Sequence, residues 1–501
     1  MARVSKHYAP KGAFAPKRLP VPDPEIGLLA GMAIPADALG GKDAAQLRQA
    51  IAENVWLHFI QMSDYTAEGR EARPLVLVRG EGARVWDAEG REYLDGLAGL
   101  FCVNAGYGRT EITQAMLAQL ERIHFVSPFS FPNVPGTVLA ERLARLSPTG
   151  EGSRVFFVTG GSEAVETALK LAKAYHRKRG FAGRYKMIGR RYAYHGTTAG
   201  ALSLTGLAYA KNPYEPLVPG ARHVTPPYHY RCPYCAHAEG CTLACADEVR
   251  QTIEFEGPES VAAVVMEPVQ NSGGCLVPPP GYYERIREAC DEYGVLLIMD
   301  EVICGFGRIG TMFGSESFDL RPDIVTIAKG LTSAYAPLGA AIASREIADT
   351  FAGADDDKFQ HGITFGGNPV AAAAALANLD ILEREDLPGR SRDMGAYFLR
   401  ELITTIGEHP YVGEVRGRGL FVGIELVRDR ETRASLEDKP LLGWLSDEFL
   451  RRGIICRADD RLSPVIQFAP PLTIAREDID RIVTTVAETL DGLKERVGGG
   501  Q

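Results

Sequence analysis

The chain has 501 residues, which at roughly 150 residues per domain implies about three units or two large ones, with enough core to need no staples. Apolar residues at 45% and charged residues at 24% exclude a disordered chain or a coiled coil. The net charge of −9 argues against nucleic acid as the main partner, and no apolar run approaches the roughly 18 residues of a membrane helix.

The N-terminal stretch MARVSKHYAPKGAFAPK is basic but lacks the apolar core of a secretory signal. Together with 9 scattered cysteines, an odd count, it points to a cytoplasmic protein. Residues 1–40, rich in Pro, Ala and Gly, read as an extended arm. Residues 42–62 place Leu47, Ile51, Val55, Leu57 and Ile60 at helical spacing and predict a helix. The alternating runs either side of Gly80-Glu81-Gly82 predict a hairpin. From about 155 to 345, short apolar runs alternate with helical stretches: RVFFV at 154–158, AAVVM at 262–266, VLLIM at 295–299 and DIVTIA at 323–328. Strands that are apolar throughout belong to a parallel or mostly parallel sheet covered on both faces. The tail from about 385 combines helices, a strand around GLFVGIELV (419–427) and a closing helix at 476–494. The expected organisation is an arm and helix over 1–70, a part of a small domain over 71–95, a large α/β domain over 96–384, and the rest of the small α+β domain over 385–501.

Three strands of the large domain end in polar residues: Glu267 after AAVVM, Asp300 after VLLIM, and Lys329 after DIVTIA. Ligands of doubly wound sheets sit at the carboxyl ends of strands, so each is a site candidate. A fourth strand, FFV, runs through Gly160-Gly161-Ser162 into a long amphipathic stretch. Glycines there let backbone N–H groups approach an anion at a helix start, and Ser162 can add a hydroxyl. A phosphate cradle, a carboxylate and an amine on neighbouring strand ends suit one cofactor, pyridoxal phosphate, which needs an amine for attachment, an acid at its ring nitrogen and a seat for its phosphate. The 29 residues separating Asp300 from Lys329 suffice for one strand–helix–strand crossover.

The segment MDEVICGFGRIGTMFGSESFDLRPDIVTIAKGL (299–331) resembles the signature of class III pyridoxal-phosphate aminotransferases of fold type I. VNAGYG (103–108), FFVTGGSEAVETA (156–168), YHG (194–196), EPVQNSGG (267–274), HGITFGGNPVAAAAAL (361–376) and FAPPL (468–472) follow in that family's order, so the resemblance spans roughly 70–490. It implies that Lys329 carries the cofactor and shuttles protons, while Asp300 pairs with its ring nitrogen. It places Val302 and Tyr194 on the two ring faces, Gly161 and Ser162 at the phosphate, Gln270 near the ring hydroxyl and Glu267 near Asp300. Thr364 is expected to reach the phosphate of a neighbouring subunit, which implies a homodimer or a dimer of dimers. His195 is expected to be structural, because Lys329 already moves the proton.

Relatives that use 2-oxoglutarate often carry an arginine after the Tyr/Phe-His-Gly element, where this chain has Thr197. GIICRADDRLSPVIQFAPPL (453–472) instead resembles the pyruvate-dependent ω-amino acid and amine transaminases, taurine–pyruvate enzymes among them. There an arginine at the position of Arg457 swings in for a carboxylate and out for an apolar amine. Leu100-Phe101-Cys102 is expected to line the substrate mouth, with Phe101 as an aromatic wall. The expected reaction passes an amino group from an ω-amino acid, a taurine-like compound or a primary amine to pyruvate. A 2-oxoglutarate-dependent enzyme and a lyase or mutase with the same cofactor stay open. A non-enzymatic regulator is disfavoured, since residues 1–70 hold one candidate helix and no helix-turn-helix. Cys232, Cys235, Cys241 and Cys245, with His229 and His237 nearby, have a spacing that zinc could use. Reduced thiols packing a loop are preferred, and no metal site is assigned.

Overall fold

The computed structural model describes residues 40–66, 74–235, 240–353, 357–459 and 462–498, so the proposed arm lies outside them except for Gly40. The chain forms two compact units, one of residues 1–78 with 87–90, the other of residues 79–86 with 91–501.

In the first unit, helix Ala44–Asn54 starts on a capping box: Asp43 accepts from the Gln46 amide and the Gln46 side chain accepts from that of Asp43. The helix stops eight residues before the expected end at 62, because Val55 turns to extended backbone (φ −113°, ψ 124°). The β-branched Val55 and the aromatics beyond it favour extended chain. Val55 and Ile60, which the sequence pattern counts in the apolar spacing of the helix, are exposed.

The second unit is built on a seven-stranded sheet. Its strands in chain order are β1 (Arg154–Val158), β2 (Lys186–Arg190), β3 (Ala221–Val224), β4 (Val261–Met266), β5 (Leu296–Asp300), β6 (Ile324–Ile327) and β7 (Gly339–Ala343). In space they run β1-β7-β6-β5-β4-β2-β3. β7 pairs antiparallel with both β1 and β6, and the other pairings are parallel. All residues of β4 and β5 are buried. Val264, Met266, Leu297 and Met299 point into one core layer with Tyr282, Ile286 and Ala289 of helix Tyr282–Tyr293. Ala263, Val265 and Ile298 point into the other, against Val165, Ala168, Leu169 and Ala172 of helix Gly161–Lys178. The two-residue period of a strand therefore feeds two layers, which is why these runs show no polar alternation. Each fully buried aliphatic side chain contributes about 2 kcal/mol.

Asp300 and Lys329 are not joined by the expected helical crossover. Among the described residues between β5 and β6, the one helical segment is the 3-10 helix Gly314–Phe318. Glu301 ties this connection down: its buried carboxylate accepts from the amides of Gly314 and Ser315 and from the Ser315 hydroxyl.

A smaller sheet joins both chain ends. Strand Glu92–Asp95 pairs antiparallel with Arg84–Asp87 and parallel with Ile454–Ile455. A further sheet contains Val412–Gly417, Val422–Asp429, Val465–Phe468 and Arg457–Asp459 in spatial order. Helices Leu387–Ile406, Lys439–Arg451 and Arg476–Gly498 complete the C-terminal part. Among the described residues no helix is long and apolar enough to cross a membrane.

Helix Ala244–Glu256 ends on an acid, which the negative end of its dipole disfavours. Lys186 at 2.7 Å and Arg222 at 2.5 Å compensate, and their hydrogen bonds hold the Glu256 carboxyl down at about 2, against an ordinary 4.5. A depressed carboxyl contributes stability above its unfolded value and loses it as pH falls through its folded value. Glu256→Gln should therefore lower the thermal midpoint at pH 7 by about 2 °C, a partly solvated pair being worth about 1 kcal/mol. In melts at stepped pH, the gap between the proteins should narrow from about pH 4.5 toward 2; a gap independent of pH would refute the pairing.

Candidate active site

Four strand ends converge on one cavity. Asp300 closes β5, Lys329 follows β6, Glu267 follows β4, and the start of helix Gly161–Lys178 follows β1. Tyr194, His195 and Gly196, from the loop after β2, complete that wall with Val302 and Ile303. The sheet register explains the gathering: Asp300 pairs with Thr326, three residues before Lys329.

Asp300 is buried and held by three donors. Its Oδ2 lies 2.8 Å from His195 Nδ1, while Oδ1 accepts from the Thr326 hydroxyl at 3.1 Å and the Val302 amide at 3.2 Å. The opposite ring nitrogen of His195 is buried with no partner among the described residues. The His195 contact spans 105 residues of chain, so no spacing in the sequence reveals it. Its only signal is its place between Tyr194 and Gly196.

Lys329 is half-buried, and its side-chain amine makes no hydrogen bond or ion pair among the described residues. Its backbone is left-handed (φ 43°) on the 3-10 turn Lys329–Leu331. Such strain costs of order 1 kcal/mol or more in a non-glycine residue and clusters at functional sites. An unpaired amine on a cavity wall is free to condense with a carbonyl.

The helix beginning at Gly161 has no side-chain cap at Gly160. Its first amides thus remain available, and with the helix dipole they suit an anion. Gly161 is needed for space: a Cβ there would stand 2.8 Å from Val302 Cγ1. The Ser162 hydroxyl accepts from the Thr197 amide at 3.2 Å, and a Cβ on Gly196 would collide with that hydroxyl at 2.4 Å.

Glu267 is a buried residue of the cavity wall, its carboxylate accepting from the amides of Asn271 at 3.0 Å and Tyr194 at 3.4 Å. Burial raises its pKa, and the neighbouring His195 and Arg190 oppose the rise. Gln270 is not on this cavity wall; its amide nitrogen donates to the carbonyls of Arg191 and Ser272, and its Oε1 is buried without a partner among the described residues. Thr364 is exposed and also absent from the wall.

Phe101 and Arg457 meet beside the cavity. The Arg457 guanidinium stands 5.2 Å from the centre of the Phe101 ring, which packs edge-on against Phe421 at 5.8 Å. Phe101 shares an apolar cluster with Ile303, itself on the cavity wall. The backbone from Leu97 to Cys102 is unusual: Ala98 (φ 48°) and Phe101 (φ 61°) are left-handed, and Gly99 lies at φ 66°, ψ −83°.

The described members of the cysteine cluster are free thiols. Among the described residues no group of three or more His, Cys, Asp or Glu is placed to hold a metal ion, and His237 lies outside those residues.

The cavity's residues suit a phosphorylated pyridine aldehyde: an uncapped helix start with no room for a Cβ, an unpaired amine, and a carboxylate locked by three donors. The family model for class III aminotransferases matches residues 65–490. A crystal structure of an (S)-enantioselective ω-transaminase from Thermomicrobium roseum superposes with a TM-score of 0.84 at 44% identity, over 90% of this chain and 99% of that one. The taurine–pyruvate aminotransferase of Bilophila wadsworthia is 36% identical over 91% of this chain and 99% of its own. The diaminobutyrate–2-oxoglutarate transaminase of Halomonas elongata is also 36% identical, over 88% of this chain and 94% of its own.

Proposed function

The chain belongs to the class III aminotransferases, pyridoxal-phosphate-dependent enzymes of fold type I, and we propose that it moves an amino group from an ω-amino acid, a taurine-like compound or a primary amine to pyruvate. The observation that carries the reaction type is Lys329, an unpaired amine sharing a cavity wall with the His195-bound carboxylate of Asp300. When bound, the cofactor supplies the electron sink that lets a substrate C–H bond break.

The protein's part is attachment, orientation and proton handling. Lys329 would carry the cofactor and, once released by substrate, its Nζ would take and return the substrate proton. Asp300 would hold the proton of the ring nitrogen, and His195 would fix which way that carboxylate faces. Val302 and Tyr194 would flank the ring, and the amides at Gly161 and Ser162 would take the phosphate. Glu267, buried beside His195, would shape the far end, with Gln270 behind it toward the ring hydroxyl. Thr364, exposed and away from its own chain's cavity, would serve the neighbouring subunit of a homodimer.

The choice of pyruvate rests on Arg457. Its guanidinium stands over the Phe101 ring in a cation–π contact, beside the cavity where a carboxylate would offer it a bidentate partner. An apolar amine would leave the arginine where it is. Thr197, exposed with its amide on Ser162, offers no second cation there. The relatives support both acceptors: one is a pyruvate enzyme and one a 2-oxoglutarate enzyme.

Half-reactions separate the two. Taurine, β-alanine, 4-aminobutyrate and 1-phenylethylamine, added singly, should each be screened for conversion of the bound cofactor's absorbance, followed by recovery with either keto acid. Recovery with pyruvate and not 2-oxoglutarate is expected, with alanine formed in amounts equal to the donor consumed. Equal recovery with both removes the Arg457 argument, and donor loss without alanine favours a lyase. Arg457→Ala should raise the KM for pyruvate at least about tenfold, the worth of one charge-assisted hydrogen bond, and leave that for 1-phenylethylamine within about twofold.

A further inference from the structure

We propose that Asp95 is a positioning residue for the substrate side of the cavity: its carboxylate clamps the strained loop that sets where Phe101, and with it Arg457, stands. The proposal rests on the transaminase reading above and deepens it.

Asp95 is buried at the end of strand Glu92–Asp95. Its Oδ1 accepts from the Leu97 amide at 3.0 Å, and its Oδ2 accepts from the Gly99 amide at 2.6 Å. The Tyr107 hydroxyl, 2.8 Å from the same Oδ2, holds the carboxylate from the other side. Burial, reinforced by Asp95, raises the Tyr107 pKa well above its ordinary value, so the hydroxyl stays a donor.

These bonds act where the backbone is least willing. Ala98 and Phe101 are both left-handed, a region that a side chain on Cβ disfavours. The reward is direction. Leu100 points outward with half its surface exposed, while Phe101 is 2% exposed, turned in against Phe421 and beneath Arg457. Relaxation of either residue to right-handed backbone would redirect the Phe101 ring and remove the platform on which the guanidinium rests.

Asp95 also borders the segment that delivers Arg457. It pairs with Ile455, and the Gly96 amide donates to the Ile455 carbonyl at 2.8 Å. The residue whose carboxylate holds the loop carrying Phe101 is thus joined through its backbone to the strand two residues from Arg457.

The test uses the holoenzyme with pyruvate and 1-phenylethylamine. Asp95→Asn keeps the shape but weakens the acceptors, and should raise both KM values about tenfold with kcat and the bound-cofactor spectrum little changed. Tyr107→Phe, which keeps the ring, should move KM the same way by a smaller factor, and serves if Asp95→Asn does not fold. Adding Ala98→Gly to either variant should recover much of the lost KM, because glycine adopts left-handed backbone without a clash. Unchanged KM in both single variants, or no gain from Ala98→Gly, overturns the clamp. A wild-type holoenzyme that transfers no amine from any donor overturns the transaminase reading, and the clamp's purpose with it.

Discussion

Asp300→Asn should lower kcat by about a thousandfold while the protein still binds its cofactor. The carboxylate is already organised before anything binds: β5 delivers it buried, Thr326 and the Val302 amide occupy Oδ1, and His195 occupies Oδ2. A charge held this way, in a site shielded from water, needs no reorganisation when it acts on a ring nitrogen, which makes preorganised electrostatics large, of order 10²–10³ in rate. Asparagine preserves size but presents a neutral amide, whose nitrogen cannot hold a ring proton. Steady-state kinetics with 1-phenylethylamine and pyruvate, alongside cofactor content after gel filtration, check both halves. A kcat within tenfold of wild type would remove Asp300 from its role.

Lys329→Ala should cost more, about 10⁴-fold or beyond, because two functions leave together: covalent attachment and proton transfer. Lys329 is the only amine on the cavity wall among the described residues and has no hydrogen bond or ion pair there to spare it for a structural task. The left-handed backbone at 329 costs alanine about what it costs lysine, since both carry a Cβ, so the variant should fold with its thermal stability little changed. Methylamine added from solution should restore part of the rate, since the missing amine is the sole deficit. A variant that turns over normally would mean that another group does this work.

Much of this was legible in the chain itself, for identifiable reasons. Strands buried on both faces show as unbroken apolar runs, so β1, β4, β5 and β6 fall within a residue or so of RVFFV, AAVVM, VLLIM and DIVTIA. A carboxylate or amine closing such a run is conspicuous, and Asp300, Lys329 and Glu267 share one cavity. Other features leave no pattern. Helical spacing continues past Asn54, yet extended backbone at Val55 ends the helix. The 29-residue interval between Asp300 and Lys329 suggests a helix, but Glu301 binds the connection as turns and a short 3-10 helix. His195 with Asp300, and Arg457 with Phe101, are pairings of residues more than a hundred positions apart, created by sheet order rather than by spacing. The hold of Asp95 on Gly99 is local, but its meaning depends on the left-handed backbone at Ala98 and Phe101, which residue types alone do not announce.

The central claim is that one nitrogen carries the cofactor. Borohydride reduction of the holoenzyme, followed by digestion and mass mapping, reads that nitrogen directly. A reduced pyridoxal phosphate mass on the peptide containing Lys329, and on no other lysine, is the predicted result. The same mass on a different lysine, or unlabelled protein after saturation with the cofactor, would contradict it.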